Sequence, residues 1–384
     1  MAGAPMSRLI LAPFLLLGLC PQLRAGSSAL AWPVEAQQHE PSISAGEGEP
    51  SDCPAVLSAS DSLLLWAIEA TVAHRYSLAS CLLAQACAEN PAEPLSVLLQ
   101  AASLQAKMQD LENYAERDSF VALLARARSL ASQKLTSQPS ARAFFCLGVV
   151  EAYSAYDELR RGHQLSAYRH GLRARSYFEK ALAIDPQFCD AAVGIGSFLY
   201  WRGKALRYLA WLPFVSDRRE DGIRTVLDAF PCTKFTRWTS VSNLSWILLD
   251  ADRPAEALRW AEEGLARFPE SRFFLWPAAE ALFRMGRWSD SEAFYRRILA
   301  GLESQVGSSG YNELLCYLRI AECRRATGDL PGALESLDQA LAVRPGNGVE
   351  SAVEELRERA SRLRREVTEE LRRQRKTDVP TRTR

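Results

Sequence analysis

The residues able to do chemistry in this sequence are four histidines, nine cysteines and a few adjacent carboxylates. Metal ligation is the first chemistry to weigh. The histidines are His39, His74, His163 and His170. His163 and His170 lie seven positions apart, a rise of about 10.5 Å on a helix. One metal ion would need a third ligand between them, and Tyr168 and Arg169 do not supply it. Glu262-Glu263 and Glu354-Glu355 fall on charged helical faces, where paired carboxylates are ordinarily solvated. No nucleophile elbow, Gly-rich phosphate loop or CxxC occurs. The sequence therefore predicts no enzyme, no metal site and no cofactor. Its 46 basic residues match 46 acidic ones and are scattered among them, which argues against a nucleic-acid partner.

Recognition is the remaining chemistry. The stretch "LAWLPFVSDRREDGIRTV", residues 209–226, joins an aromatic run to a charged cluster. Trp211, Phe214, Arg218 and Arg219 are its candidate contacts. Arg218 and Arg219 sit in the first turn of a predicted helix, where cations are slightly unfavourable, so they should pair with something. Either the block projects to dock a partner, or it caps an oversized hairpin with its aromatics in the core.

The elements that position these residues are helical. Apolar residues make up 48% of the chain, enough for a large core, and no period-two strand pattern persists. At the N-terminus, "LILAPFLLLGLC", residues 9–20, has the length of a secretory h-region and is short for a membrane span. A signal peptide over 1–25 is expected, with cleavage as late as residue 31. A flexible Ser/Gly/Pro-rich leader over 26–58 should follow. The chain is then exported, to be periplasmic, envelope-associated or secreted. Membrane contact would come only through an uncleaved signal or a lipid anchor.

Internal repeats set the fold. "DRPAEALRWAEEGLARFP", "GRWSDSEAFYRRILA" and "GDLPGALESLDQALAVRP" share one pattern. A turn residue is followed by a bulky residue or proline, then a small residue, an apolar residue and an apolar pair. In the first this runs Asp252, Pro254, Ala257, Ala261, Gly264-Leu265; in the last, Gly328, Leu330, Ala333, Leu337, Ala340-Leu341. "ARSYFEKALAIDP" and "YSLASCLLAQACAENP" repeat it upstream. Small residues let two helices approach, and the apolar ones share a face. This pattern resembles the tetratricopeptide repeat, a helix–turn–helix unit, over roughly residues 60–347. The resemblance implies an all-α solenoid of stacked hairpins over residues 59–349, with an insertion near 200–216. A charged capping helix is expected over 350–376, with Val353, Leu356, Ala360, Leu363 and Val367 as its seam, and a disordered tail over 377–384.

The resemblance also implies a concave groove lined by the first helix of each unit. Carried over residue by residue, the groove holds Tyr200, Trp201, Trp246, Phe273, Trp276, Glu280, Arg284 and Arg325. The Lys and Asn set of carboxylate-clamping members is absent. Aromatic anchors suit an apolar or extended peptide. A non-catalytic scaffold for a protein or peptide partner is therefore expected, with an envelope assembly as one setting. The alternative is a carrier of a small apolar ligand or lipid, using the groove or the 200–216 insertion. By repeat phase Cys189 opens the first helix of its unit and Cys232 follows the proline ending the second. Their Cα atoms should then lie about 6 Å apart, within disulfide reach; two buried thiols are the alternative. Cys81 with Cys87, and Cys316 with Cys323, are spaced wrongly for bonding each other.

Overall fold

A computed structural model describes residues 60–206, 216–346 and 349–377. The expected signal peptide, leader and C-terminal tail, with Trp211 and Phe214, lie outside the described residues. Within them the chain is helical throughout and has no strand. The helices are α1 (Ser60–Val72), α2 (Tyr76–Glu89), α3 (Pro94–Asp110), α4 (Arg117–Ser137), α5 (Ala141–Arg160), α6 (Gln164–Ile184), α7 (Cys189–Leu206), α8 (Arg219–Ala229), α9 (Arg237–Asp250), α10 (Pro254–Arg267), α11 (Arg272–Arg284), α12 (Trp288–Glu303), α13 (Tyr311–Ala326), α14 (Leu330–Ala342) and α15 (Glu350–Thr377). From α1 to α14 they pair as antiparallel hairpins, each stacked on the next. The solenoid read from the repeats is the architecture observed.

Local chemistry sets each hairpin. In α10, Pro254 opens the helix with its φ already helical, and Ala257, Leu258, Ala261 and Gly264 bury one stripe. In α14 the Asp329 carboxylate accepts the Gly332 N–H at 2.9 Å, capping the first turn. Six hairpins share one turn. Its central residue is left-handed: His74, Glu112, Gly162, Asp252, Gly286 or Gly328. The next N–H then donates to a carbonyl five residues back, at 2.8–3.0 Å. This is the Schellman closure, which satisfies carbonyls the helix end leaves free. The α7–α8 hairpin carries the extra residues, and no such turn is described there. Its helices touch backbone to backbone instead: a Cβ at Gly222 would lie 2.6 Å from the Gly196 carbonyl oxygen.

The curve of the array brings its two ends together. Asp61 pairs with Lys234 at 2.6 Å and Glu69 with Arg267 at 3.1 Å. The Ser271 hydroxyl donates to the Val72 carbonyl at 2.8 Å. The Ser309 N–H donates to the Leu111 carbonyl at 3.0 Å. The solenoid is thus closed into a ring, with the first two hairpins seated on the fifth, sixth and seventh. α15 lies along α13 and α14, burying Val353, Leu356, Ala360, Leu363 and Val367.

Candidate binding site

The ring encloses a channel of about 360 Å³. One wall comes from α1, α3 and α5, through residues such as Ala67, Thr71, Leu98, Gln105, Gln109 and Tyr153. The facing wall comes from α9, α11, α13 and α15, with Trp238, Trp246, Phe273, Trp276, Tyr311 and Leu356. The surface is mostly apolar and aromatic, broken by amides and hydroxyls: Gln105, Gln109, Thr239, Ser242 and Asn243. Asn243 is almost fully buried. Its Nδ2 donates to Ser197 Oγ at 2.6 Å, yet its Oδ1 accepts nothing. Pro277 interrupts α11, and proline has no N–H for the carbonyl four residues back. That carbonyl belongs to Phe273, and the Ser242 hydroxyl donates to it at 3.2 Å.

Four charged groups in the wall, Asp110, Arg272, Glu280 and Arg319, are already paired. Asp110 receives Arg272 through Nε at 2.7 Å and Nη2 at 2.5 Å. Burial pushes the Asp110 carboxyl up, but the hydrogen bonds from Arg272 and His74 and the charge of the Arg272 guanidinium outweigh it and hold it well below the usual carboxylate range. His74 Nε2 accepts the Arg272 backbone N–H at 2.8 Å, so the imidazole proton lies on Nδ1, facing Tyr76 Oη at 2.9 Å and Asp110 Oδ2 at 3.1 Å. Glu280 accepts from Arg319 at 2.9 Å, Arg284 at 3.1 Å and Tyr295 Oη at 3.2 Å. Three donors therefore occupy the Glu280 carboxylate. The other described histidines pair with Glu158 and Glu151. No group of three or more potential metal ligands occurs among the described residues.

Four of the groove residues expected from sequence meet here: Trp246, Phe273, Trp276 and Glu280 line the channel. Arg284 supports it from behind, bonding Glu280 and the Leu249 carbonyl. Tyr200 and Trp201 require correction. They are 0% and 1% exposed, covered by Ile223 of α8 and by Leu248 and Leu249 of α9, and so present no surface to a partner. Arg325 is corrected as well. It is occupied by Glu366 and Glu370 of α15, so it fastens the capping helix. Arg218 and Arg219 do have the carboxylate partners their placement called for. Arg218 meets Asp221 at 2.9 Å and Arg219 meets Asp217 at 2.7 Å, which is local pairing at the start of α8. Trp238, Gln105, Asp110 and Arg272 were missed.

Cys189 and Cys232 are bonded, with Cα atoms 5.7 Å apart. Beside them Asp190 accepts the N–H groups of Phe235 at 2.9 Å and Thr236 at 2.7 Å. Together they fix the base of the α7–α8 hairpin and the start of α9. Cys81 is also in a disulfide, whereas Cys87, Cys146, Cys316 and Cys323 are free thiols.

Residues 239–268 and 274–345 match tetratricopeptide repeat models. These stretches span α9 to α14, the units whose pattern is most regular. No curated protein is significantly similar to the chain. Among solved structures, the APC/C hetero-tetramer Cut9–Hcn1 is 16% identical with a TM-score of 0.48, over 75% of this chain and 48% of that one. This chain thus spans less than half of that relative's length. A thermophilic tetratricopeptide repeat protein of Thermus thermophilus is 18% identical with a TM-score of 0.37, over 59% of this chain and 100% of that one. Pseudomonas aeruginosa PilF is 20% identical with a TM-score of 0.38, over 61% and 89%. No helix among the described residues is long and apolar enough to cross a membrane.

Proposed function

We propose that this chain is a non-catalytic binding protein that holds an extended, apolar-rich segment of another protein in its central channel. Tetratricopeptide scaffolds are commonly protein-binding, which supplies the class. The observation that carries the peptide is the mostly apolar and aromatic channel wall broken by the amides and hydroxyls of Gln105, Gln109, Thr239 and Ser242. Such a wall suits an extended segment, whose backbone N–H and C=O groups need polar partners at intervals between its apolar side chains. Trp246, Phe273 and Trp276 would hold the side chains between them.

The test is a fluorescence-anisotropy titration with labelled peptides rich in Leu, Phe and Trp, against the same peptides with those residues changed to Ser. Binding of the first set and not the second is expected, and it should be weakened by Trp246→Ala. Equal binding of both sets would refute the channel as the site. A small apolar ligand is the second reading, favoured by the closure of the walls around the cavity. Native mass spectrometry of protein from its own cells distinguishes them, because a lipid would add a discrete mass.

The proposed setting is an exported one. The apolar run at 9–20 and the Cys189–Cys232 bond suit a secreted chain in an oxidising compartment. Cell fractionation with an antibody to the repeat domain checks this.

A further inference from the structure

The channel wall is split lengthwise. α1 and α3 stand on one side, α9, α11 and α13 on the other, and the chain joins them only the long way round. Across the split the contacts are chiefly polar. Besides the Asp61–Lys234, Glu69–Arg267, Ser271–Val72 and Ser309–Leu111 links, Asn312 Nδ2 donates to the Asp110 carbonyl at 2.8 Å. Asn113 Nδ2 donates to the Gly307 carbonyl at 2.8 Å. The apolar contacts are Val72 and Ala73 against the Phe268, Phe273 and Phe274 cluster, Phe235 within the cluster that α1, α3 and α5 share, and the His74 ring stacked 5.1 Å from Phe273. Neighbouring hairpins, by contrast, share continuous apolar faces. Polar contacts are exchanged for water at little net cost, whereas apolar area is not. The split is therefore the place where the ring parts most readily.

The Asp110–Arg272 pair makes this parting two-state. Both side chains are buried, at 2% and 4% exposure. A half-open seam leaves a charge in the interior without its partner, which is the costly case. Fully closed, both charges are bonded; fully open, both are hydrated. Thr71, Asp110, Arg272, Phe273 and Asn312 line the channel from the two sides of the split, so opening there widens the channel itself. A segment inside a longer protein has no free end to thread through a ring.

We propose that the seam is a clasp: it opens sideways to admit the channel's occupant and closes behind it, latched by Asp110 and Arg272. This rests on the channel as the binding site. The test replaces Glu69 and Arg267 with cysteine in a Cys87→Ser background and joins them with a short bismaleimide. Both positions are partly exposed, and the same protein without cross-linker is the control for folding. The probe is the apolar dye anilinonaphthalenesulfonate, followed by stopped-flow fluorescence, with hydrogen exchange of α1 and α3 as a readout that needs no ligand. Cross-linking should slow dye uptake by roughly tenfold or more, as for a gated site, without changing final affinity, and should slow exchange in α1 and α3. Equal uptake rates with and without the cross-link overturn the clasp. If no form binds the dye, the channel reading fails, and exchange alone decides the clasp: identical exchange in the two forms overturns it.

Discussion

Gly222→Ala sets two effects of opposite sign against each other. In a helix interior alanine is favoured over glycine by about 1 kcal/mol. In α8, however, the new Cβ would lie 2.6 Å from the Gly196 carbonyl oxygen, 2.7 Å from Tyr200 N and 3.1 Å from Tyr200 Cα. Every one of these atoms is α7 backbone, so none can swing aside. Ordinary contact needs about 3.5 Å, so α8 must retreat by roughly 0.9 Å. The retreat loosens Ile223 and Val226, now 1% and 0% exposed, against Tyr200, Trp201 and Leu244. A gap of that size forfeits a quarter to a half of each dispersion contact, and overpacking of this kind costs about 1–3 kcal/mol. The clash wins. We expect a net loss of about 1 kcal/mol, and at most about 2 kcal/mol, in urea denaturation, with faster hydrogen exchange confined to α7 and α8. Unchanged or increased stability would refute the close-approach argument.

Trp276→Ala should leave the fold intact, because the side chain is only half-buried, and should weaken the best peptide by roughly 2 kcal/mol, about thirtyfold, in anisotropy titrations. Arg325→Ala should leave peptide affinity unchanged and loosen only α15, by less than about 1 kcal/mol in hydrogen exchange. Reducing Cys189–Cys232, which closes a loop of sequence separation 43, should cost up to about 4 kcal/mol by chain entropy; non-reducing peptide mapping first establishes the bond. His170, Arg128 and Arg173 donate to the buried Glu151 and, against the upward push of burial, hold its carboxyl at about 2, below its ordinary 4.5. Its stabilisation is complete above the ordinary value and is lost as pH falls towards about 2. Glu151→Gln should therefore flatten that part of the acid-denaturation profile, and an unchanged profile would show the cluster to be inert.

The hairpins were legible because their spacing is a local property. The small positions Ala257 and Ala333 follow from the repeat spacing, and the α15 seam from helical periodicity. The channel was legible only in part. Trp246, Phe273 and Trp276 sit at groove positions and face the channel, whereas Tyr200 and Trp201 hold equivalent positions and are covered by α8 and α9. Both sets are aromatic and both were carried over as groove positions; what differs is what the neighbouring units lay over them. Arg325 likewise looks free until α15 supplies Glu366 and Glu370. The pairing of Asp110 with Arg272 joins positions 162 apart, and no periodic signal connects them. The early hairpins depart from the repeat pattern, so Gln105 and Gln109 had no phase to be read from.

A ring closed by reversible contacts has a further consequence when many copies are present. The surface that α1 and α3 offer to α9, α11 and α13 is the same in every molecule. An open molecule can close on itself or on the corresponding half of another, exchanging identical elements. Tethering favours self-closure, since the two halves see each other at an effective concentration on the order of millimolar. Above that concentration, or where molecules are crowded while still folding, the exchanged dimer becomes competitive. Each of its channels would then be walled by two chains.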